Sequence, residues 1–372
     1  MRCAERLRND GVDLTAYNSR ESAADIADLR TALGIENWTL FGRSYGTRLA
    51  LSTLRYRPEG IRAVVLDSVV PPQADLLTQF PANFQNALEK VFADCAADEG
   101  CIQQNGDLAA AYDKAIARLS ASPTTTFSIT ELLGPRKRTY GIGGRWLRYS
   151  PASYSQEGNL NIPFDAFTLR DMLYAALSDS EARNLIPVLL REIAAYRFTV
   201  MKAQFRDYLL RQAAESDIVA PVYLSHICRD EIPFISTAQL DAAAEAAGPL
   251  AYMITDAWPS YVCSAWPAGE SKPIENTPVE SAVPALLLVG RYDPISPFAL
   301  AREAARHLPN GHAYELADAG HGVLAVSGCA ERLTAVFLAT LERPPVNTCK
   351  PEALSARFPT KAPENLGQLG LD

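Results

Sequence analysis

The sequence predicts an α/β fold: a parallel sheet assembled from both ends of the chain, with a mainly helical segment inserted between them. Three observations carry this. Short apolar runs of strand character alternate with helical stretches over residues 19–72 and again over residues 280–350, and such alternation requires crossover connections and hence parallel strands. The middle of the chain, residues 73–279, is alanine-rich and helical in its periodicity, with little strand signal. Finally, Gly42-Arg43-Ser44-Tyr45-Gly46 stands between a strand-like run and a helix-like one, the layout of a sharp strand-to-helix turn.

Taken in order, residues 19–33 read as a helix capped by Asn18 or Ser19, with Ile26, Leu29 and Leu33 on one face and Gly34 as its stop. Trp38-Thr39-Leu40-Phe41 reads as a strand, followed by the turn and a helix over residues 47–57. Residues 63–68 form a continuous apolar run that ends in Val70-Pro71-Pro72, as a strand buried on both faces would. Inside the inserted segment, helices are expected over residues 108–119, 169–177 and 182–196, with an irregular Gly- and Pro-containing loop at 141–155 that either lies over the substrate entrance or simply packs on the surface. The sheet resumes with a buried strand at residues 284–290, a helix at 298–308, a last strand at 313–316 and a closing helix at 330–341. The expected organisation is a first core part at 1–72, a helical cap at 73–279, a second core part at 280–350 and a polar tail at 351–372.

Bulk properties exclude several classes. A chain of 372 residues exceeds the usual single-domain size and supports a large core with an inserted subdomain. Its net charge of -8 and the absence of Lys/Arg clusters argue against nucleic acid as a partner. No apolar run approaches the roughly 20 residues that span a bilayer, and Met1-Arg2-Cys3-Ala4-Glu5 does not begin a signal peptide, so neither a membrane nor an address is expected. The seven cysteines form no C-x2-C pair, which disfavours a metal site. Disulfides fit better: Cys95 and Cys101 flank a short acidic loop, Cys329 and Cys349 bracket one helix, Cys228 and Cys263 complete the six, and Cys3 is left over. That pattern leans towards an exported protein, with seven reduced thiols in a cytosolic one as the open alternative.

The candidate chemistry centres on Ser44. A serine at the tip of such a turn is exposed for attack, and the backbone NH of Tyr45, at the start of the next helix, can stabilise a developing oxyanion. The flanking glycines are expected because a side chain at either would strike neighbouring backbone. Downstream, Asp293 follows a buried strand in Gly290-Arg291-Tyr292-Asp293-Pro294, and His321 follows the last strand in Asp318-Ala319-Gly320-His321-Gly322. The chain order Ser, Asp, His is that of α/β-hydrolases: His321 would serve as general base and acid, and Asp293 would fix its tautomer. Asp318 is the alternative acid, and Asp293 would then be only a turn cap. His307 and His312 read as structural, and so does His226 on balance, although it stands beside the cap carboxylates Asp230 and Glu231. These two carboxylates could hold a substrate's free ammonium, against the alternative of a solvated acidic turn. Arg43, next to the nucleophile, could favour anionic substrates, against the alternative that it points sideways into packing or salt bridges. The triad needs no metal or organic cofactor, and none is expected.

With these residues placed, the chain resembles the α/β-hydrolases of the tripeptidyl and prolyl aminopeptidase group. The resemblance rests on Ser44-Tyr45-Gly46-Thr47-Arg48, on Leu66-Asp67-Ser68-Val69-Val70-Pro71-Pro72, on Val289 to Pro294 and on Gly320-His321-Gly322. It implies an α/β-hydrolase parallel sheet with a helical cap, an exported serine hydrolase with Ser44, Asp293 and His321 as triad, and peptide amino termini or short esters as substrates. The group also carries an upstream His-Gly-Gly-Pro-Gly type loop that supplies a second oxyanion NH, and this sequence has no match to it. The sheet is therefore expected to be amino-terminally shortened, with an open edge that a homodimer would cover. A carboxylesterase without peptidase activity, and an inactive hydrolase or binding protein, are the two competing expectations.

Overall fold

The computed structural model describes residues 2–121, 125–128, 161–214, 220–255 and 260–344. The loop expected at 141–155, Cys349 and the polar tail lie outside them. The chain forms two compact units, one of Met1–Ala87 with Val219–Lys350, the other containing Leu88–Ile218. Residues 73–87 and 219–279, expected in the cap, thus group with the sheet.

The first unit is built on four strands, Trp38–Arg43, Ile61–Asp67, Ala285–Gly290 and Gly311–Leu316, hydrogen-bonded in that order. All three pairings are parallel, as the α/β alternation predicts. Ala285–Gly290 is buried along its whole length because helices cover both faces of the sheet. Its period-two geometry sends Ala285, Leu287 and Val289 into one apolar cluster, with Leu51, Leu54, Leu66 and Ala301, and Leu286 and Leu288 into another, with Val65, Leu333 and Phe337. This is an α/β architecture, a four-stranded parallel sheet with helices on both faces.

The helices follow the sequence closely. Asn18, rather than Ser19, caps the helix Ser19–Ala32, its side chain accepting from the amides of Arg20 and Glu21. The expected apolar face of this helix is only partly realised: Leu29 and Leu33 are 53% and 61% exposed, and Phe41 on the neighbouring edge strand is 59% exposed. The remaining sheet helices are Tyr45–Tyr56, Phe298–Ala305 and Gly328–Thr340. Helix Ala220–Asp230 is tied to Ser260–Ala265 by the Cys228–Cys263 disulfide. Cys3 is free and exposed.

The second unit is mainly helical, with Leu108–Ala121, Ala166–Ser178, Ile186–Ala194 and Thr199–Ala214 as its principal helices. Its Cys95–Cys101 disulfide forms as spaced. Where one helix is expected over 182–196, the structure has two, Ser180–Asn184 and Ile186–Ala194, since Pro187 fits a helix's first turn and not its interior. A strand pair absent from the sequence reading, Thr125–Ser128 antiparallel to Asn161–Phe164, packs Phe127 and Phe164 edge-on against Phe205. Its partners are too far apart in sequence to show as a hairpin. Cys329, in the first unit, is disulfide-bonded.

Candidate active site

The site grows from the end of the strand Trp38–Arg43. Ser44 sits between this strand and the helix Tyr45–Tyr56 with φ 56 and ψ -123, a conformation that costs a non-glycine residue about 1–3 kcal/mol. Surrounding bonds hold it there. The Ser44 amide donates to the Asp67 carbonyl at 2.9 Å, and the Ser44 carbonyl accepts from the Thr47 amide at 2.9 Å and the Thr47 hydroxyl at 2.7 Å. Thr47 Oγ1 in turn accepts from the Val70 amide at 2.8 Å. A Cβ on Gly42 would lie 2.2 Å from the Gly46 carbonyl oxygen, so glycine is obligatory there. Gly46 corrects the sequence expectation: a Cβ on it would meet nothing within 4 Å, because only the first glycine faces the opposing backbone. Tyr45, as the first residue of the helix, carries an amide with no intrahelical acceptor, open to an anion.

Asp293 and His321 meet across the ends of the strands Ala285–Gly290 and Gly311–Leu316. His321 Nδ1 lies 2.9 and 3.1 Å from the two Asp293 carboxylate oxygens. Oδ1 also accepts from the amides of Ile295 and Ser296, both at 2.8 Å, and Oδ2 accepts from the Ser296 hydroxyl at 2.8 Å. Burial alone would push this carboxyl upwards, but the charge and hydrogen bond of His321 together with the two amides hold it below the usual carboxylate range. A carboxylate only accepts, so Nδ1 carries the proton and Nε2 keeps its lone pair, the tautomer a general base needs. Asp318 is engaged elsewhere, both its oxygens accepting from the Ser327 hydroxyl at 3.0 and 3.1 Å. Arg43 does not turn into packing: it is exposed, with its guanidinium 3.5 Å from the His321 carbonyl.

Residues 67 and 68 brace the segment after His321. Ser68 Oγ accepts from the Gly322 amide at 2.7 Å, and the Asp67 oxygens accept from the amides of Val323 at 2.8 Å and Leu324 at 3.1 Å.

A second polar cluster surrounds the Tyr45 hydroxyl. It lies 2.8 Å from His226 Nδ1 and 3.0 Å from Ser19 Oγ, while Ser19 donates to Asp230 Oδ2 through its hydroxyl at 2.6 Å and its amide at 3.0 Å. His226 Nδ1 is also 3.3 Å from Asp230 Oδ2. One proton assignment satisfies every pair: His226 Nδ1 donates to Tyr45, Tyr45 to Ser19, and Ser19 to the carboxylate. Burial, then the Asp230 charge, pushes the Tyr45 phenol well above its ordinary value, so it stays a donor. Glu231 pairs with the fully buried guanidinium of Arg48, which also donates to the Asp230 carbonyl. Burial raises the Glu231 carboxyl to about 7 against the pull of Arg48. Asp230 and Glu231 are therefore adjacent in sequence and different in state: Asp230 is buried with Oδ2 held by Ser19 and His226, and Glu231 is 19% exposed with one oxygen beyond its ion pair.

Sequence reasoning passed over Ser19, Thr47, Arg48, Ser68 and Ser296 as members of these networks. Ser296 carried a signal, a serine three residues after an aspartate, which is the spacing of a side-chain-capped turn. Ser19 carried none, since its partner is 211 residues away. Among the described residues no group of His, Cys, Asp or Glu could hold a metal, and no helix is long and apolar enough to cross a membrane.

Residues 251–349 match the family described as "TAP-like protein". The serine protease Hip1 of Mycobacterium tuberculosis is 34% identical over 104 residues, which is 27% of this chain and 19% of that protein. A proline iminopeptidase of Xylella fastidiosa is 34% identical over 82 residues, 22% of this chain and 25% of that protein. This chain thus matches a quarter or less of the length of these relatives. Among solved structures, an esterase from Exiguobacterium antarcticum is 11% identical, covering 89% of this chain and 76% of that one at a TM-score of 0.33. The non-heme bromoperoxidase BpoC of M. tuberculosis, so described as putative, is 16% identical, covering 89% and 79% at a TM-score of 0.35.

Proposed function

We propose that this α/β-hydrolase, TAP-like in its carboxyl-terminal region, is a serine hydrolase that cleaves peptide bonds at free amino termini, or short carboxylic esters, through an acyl-enzyme on Ser44. One observation carries the reading: a His321–Asp293 pair of fixed tautomer at the strand ends, whose following amides bond the same Asp67–Ser68 segment that holds the amide of Ser44, a serine at φ 56 between strand and helix. In the reaction, Ser44 Oγ attacks the substrate carbonyl as His321 Nε2 takes its proton. The charge gathering on the carbonyl oxygen is met by the Tyr45 amide, and the imidazolium returns the proton to the departing amine or alcohol. A water molecule, deprotonated by the same nitrogen, then releases the acid and restores Ser44.

The amine preference rests on Glu231. Asp230 and Glu231 carry two negative charges when ionised, Arg48 returns one positive charge, and a substrate ammonium would balance the remainder. Asp230 is buried with Oδ2 held by Ser19 and His226, and Glu231, 19% exposed, is the more accessible carboxylate to receive the ammonium. The names of the relatives, a serine protease and a proline iminopeptidase, agree with a peptidase. A second reading, a carboxylesterase, is favoured by the same ion pair, because Arg48 already neutralises Glu231 without any substrate.

The test compares wild type, Ser44→Ala and Glu231→Gln on a nitrophenyl ester, a free-amine peptide arylamide and its amino-blocked counterpart. Turnover that vanishes in Ser44→Ala supports the triad. A loss confined to the free-amine substrate in Glu231→Gln supports amine recognition, and equal losses on ester and peptide would refute it.

A further inference from the structure

The strand Ile61–Asp67 ends in a dipeptide that touches both halves of the catalytic centre. Asp67 accepts the Ser44 amide on its carbonyl, and its carboxylate accepts the amides of Val323 and Leu324. Ser68 Oγ accepts the Gly322 amide and donates to Asp67 Oδ1 at 3.3 Å, while the Ser68 amide donates to the Leu288 carbonyl at 2.7 Å. Three consecutive amides following His321 are thus held by two adjacent side chains, and the carbonyl of the first of these residues, Asp67, also holds the Ser44 amide. Asp67 and Ser68 are 1% and 0% exposed, so no water competes for these bonds.

Ser68 adds a second observation. Its φ is 61, and a residue other than glycine adopts that conformation at a cost. Glycine would relieve it, yet only a side chain can supply the acceptor for Gly322. The position gives up conformational ease for a hydrogen bond to the histidine loop.

We propose that Asp67 and Ser68 are positioning residues that set His321 against Ser44, one dipeptide indexing the base to the nucleophile. The inference rests on the triad reading and extends it. Neither residue touches the reacting atoms. They act by keeping the loop from 321 to 324 in register with the strand-to-helix turn, and a displacement of 1 Å between reacting groups costs about 100-fold in rate.

Ser68→Gly is the informative variant, because it removes the acceptor and the unfavourable φ together and so does not threaten folding. With a nitrophenyl ester, kcat is expected to fall about 10- to 100-fold with KM within about twofold, while Tm is unchanged or higher. Asp67→Asn, which keeps one acceptor oxygen and loses the other, is expected to lower kcat in the same way. In wild type the His321 Nδ1–H proton should appear as a low-field resonance in a proton NMR spectrum, and in Ser68→Gly it should broaden or shift as amide exchange at Gly322 to Leu324 accelerates. Wild-type kcat together with an unmoved resonance in Ser68→Gly would overturn the proposal. If the wild type shows no Ser44-dependent turnover, the hydrolase reading fails by itself, and the resonance and the exchange rates still decide whether the dipeptide orders the histidine loop.

Discussion

Two carboxylates of the sheet-containing unit have opposite fates, Asp293 fully buried and Glu231 19% exposed. Asp293 accepts from two backbone amides, a hydroxyl and His321, and this set of donors overrides burial and keeps it ionised. Glu231 has a single strong partner, Arg48, and burial prevails, lifting it to about 7. The difference lies in the number of donors rather than in depth. A carboxylate surrounded by fixed donors is suited to holding a histidine in one orientation, whereas one with a spare oxygen and a titration point near neutrality is suited to receiving something.

The sharpest break in that comparison is Asp293→Asn. The amide side chain cannot accept from His321 Nδ1–H on both faces and favours the wrong tautomer, so kcat is expected to drop by about 10⁴-fold with folding retained. Steady-state rates on an ester, together with a thermal melt, check both halves of the statement.

Next in size is a contrast between the two glycines that flank Ser44. Gly42→Ala drives a methyl into the Gly46 carbonyl and is expected to lower activity by at least about 100-fold. Gly46→Ala meets nothing and should stay within about twofold of wild type, a small change since alanine also favours the helix. Equal damage from both would mean that the turn's geometry is not what makes Ser44 reactive.

Much of this was legible in the sequence. All four strands of the sheet, the strand-to-helix turn and the order of Ser44, Asp293 and His321 follow from local signals: apolar runs, turn residues and a five-residue motif. The glycine requirement was legible only in part, since the motif carries both glycines while the backbone approach that demands one involves Gly42 alone. The bracing side chains were not legible. Ser68 reaches Gly322 across 254 residues and Asp230 reaches Ser19 across 211, and no local pattern marks such partners. Nor does composition reveal that Leu29 and Leu33 stay exposed, because a helical face shows its period whether or not anything covers it.

On the Glu231 side the effects are smaller. Arg48→Met removes the guanidinium that compensates the carboxylate and is expected to cost about 3 kcal/mol at pH 8, read from urea unfolding. Glu231→Gln should alter the pH dependence of stability. The Glu231 carboxyl lies above its ordinary 4.5, so its ionisation weakens the fold as pH rises from 4.5 through about 7, by at most about 3 kcal/mol. The variant should therefore gain relative to wild type over that interval. Asp293 has the opposite sign: its lowered value contributes stability above 3.8 that is lost as pH falls below it. Two variants with the same slope would erase the distinction drawn between the two carboxylates.

Whether Ser44 is an activated nucleophile is decided by labelling with a fluorophosphonate followed by peptide mapping. One adduct is expected, on Ser44, formed in wild type and slowed in Asp293→Asn by about the same factor as ester turnover. A folded, disulfide-bonded sample that takes no label, or takes it on another residue, would contradict it.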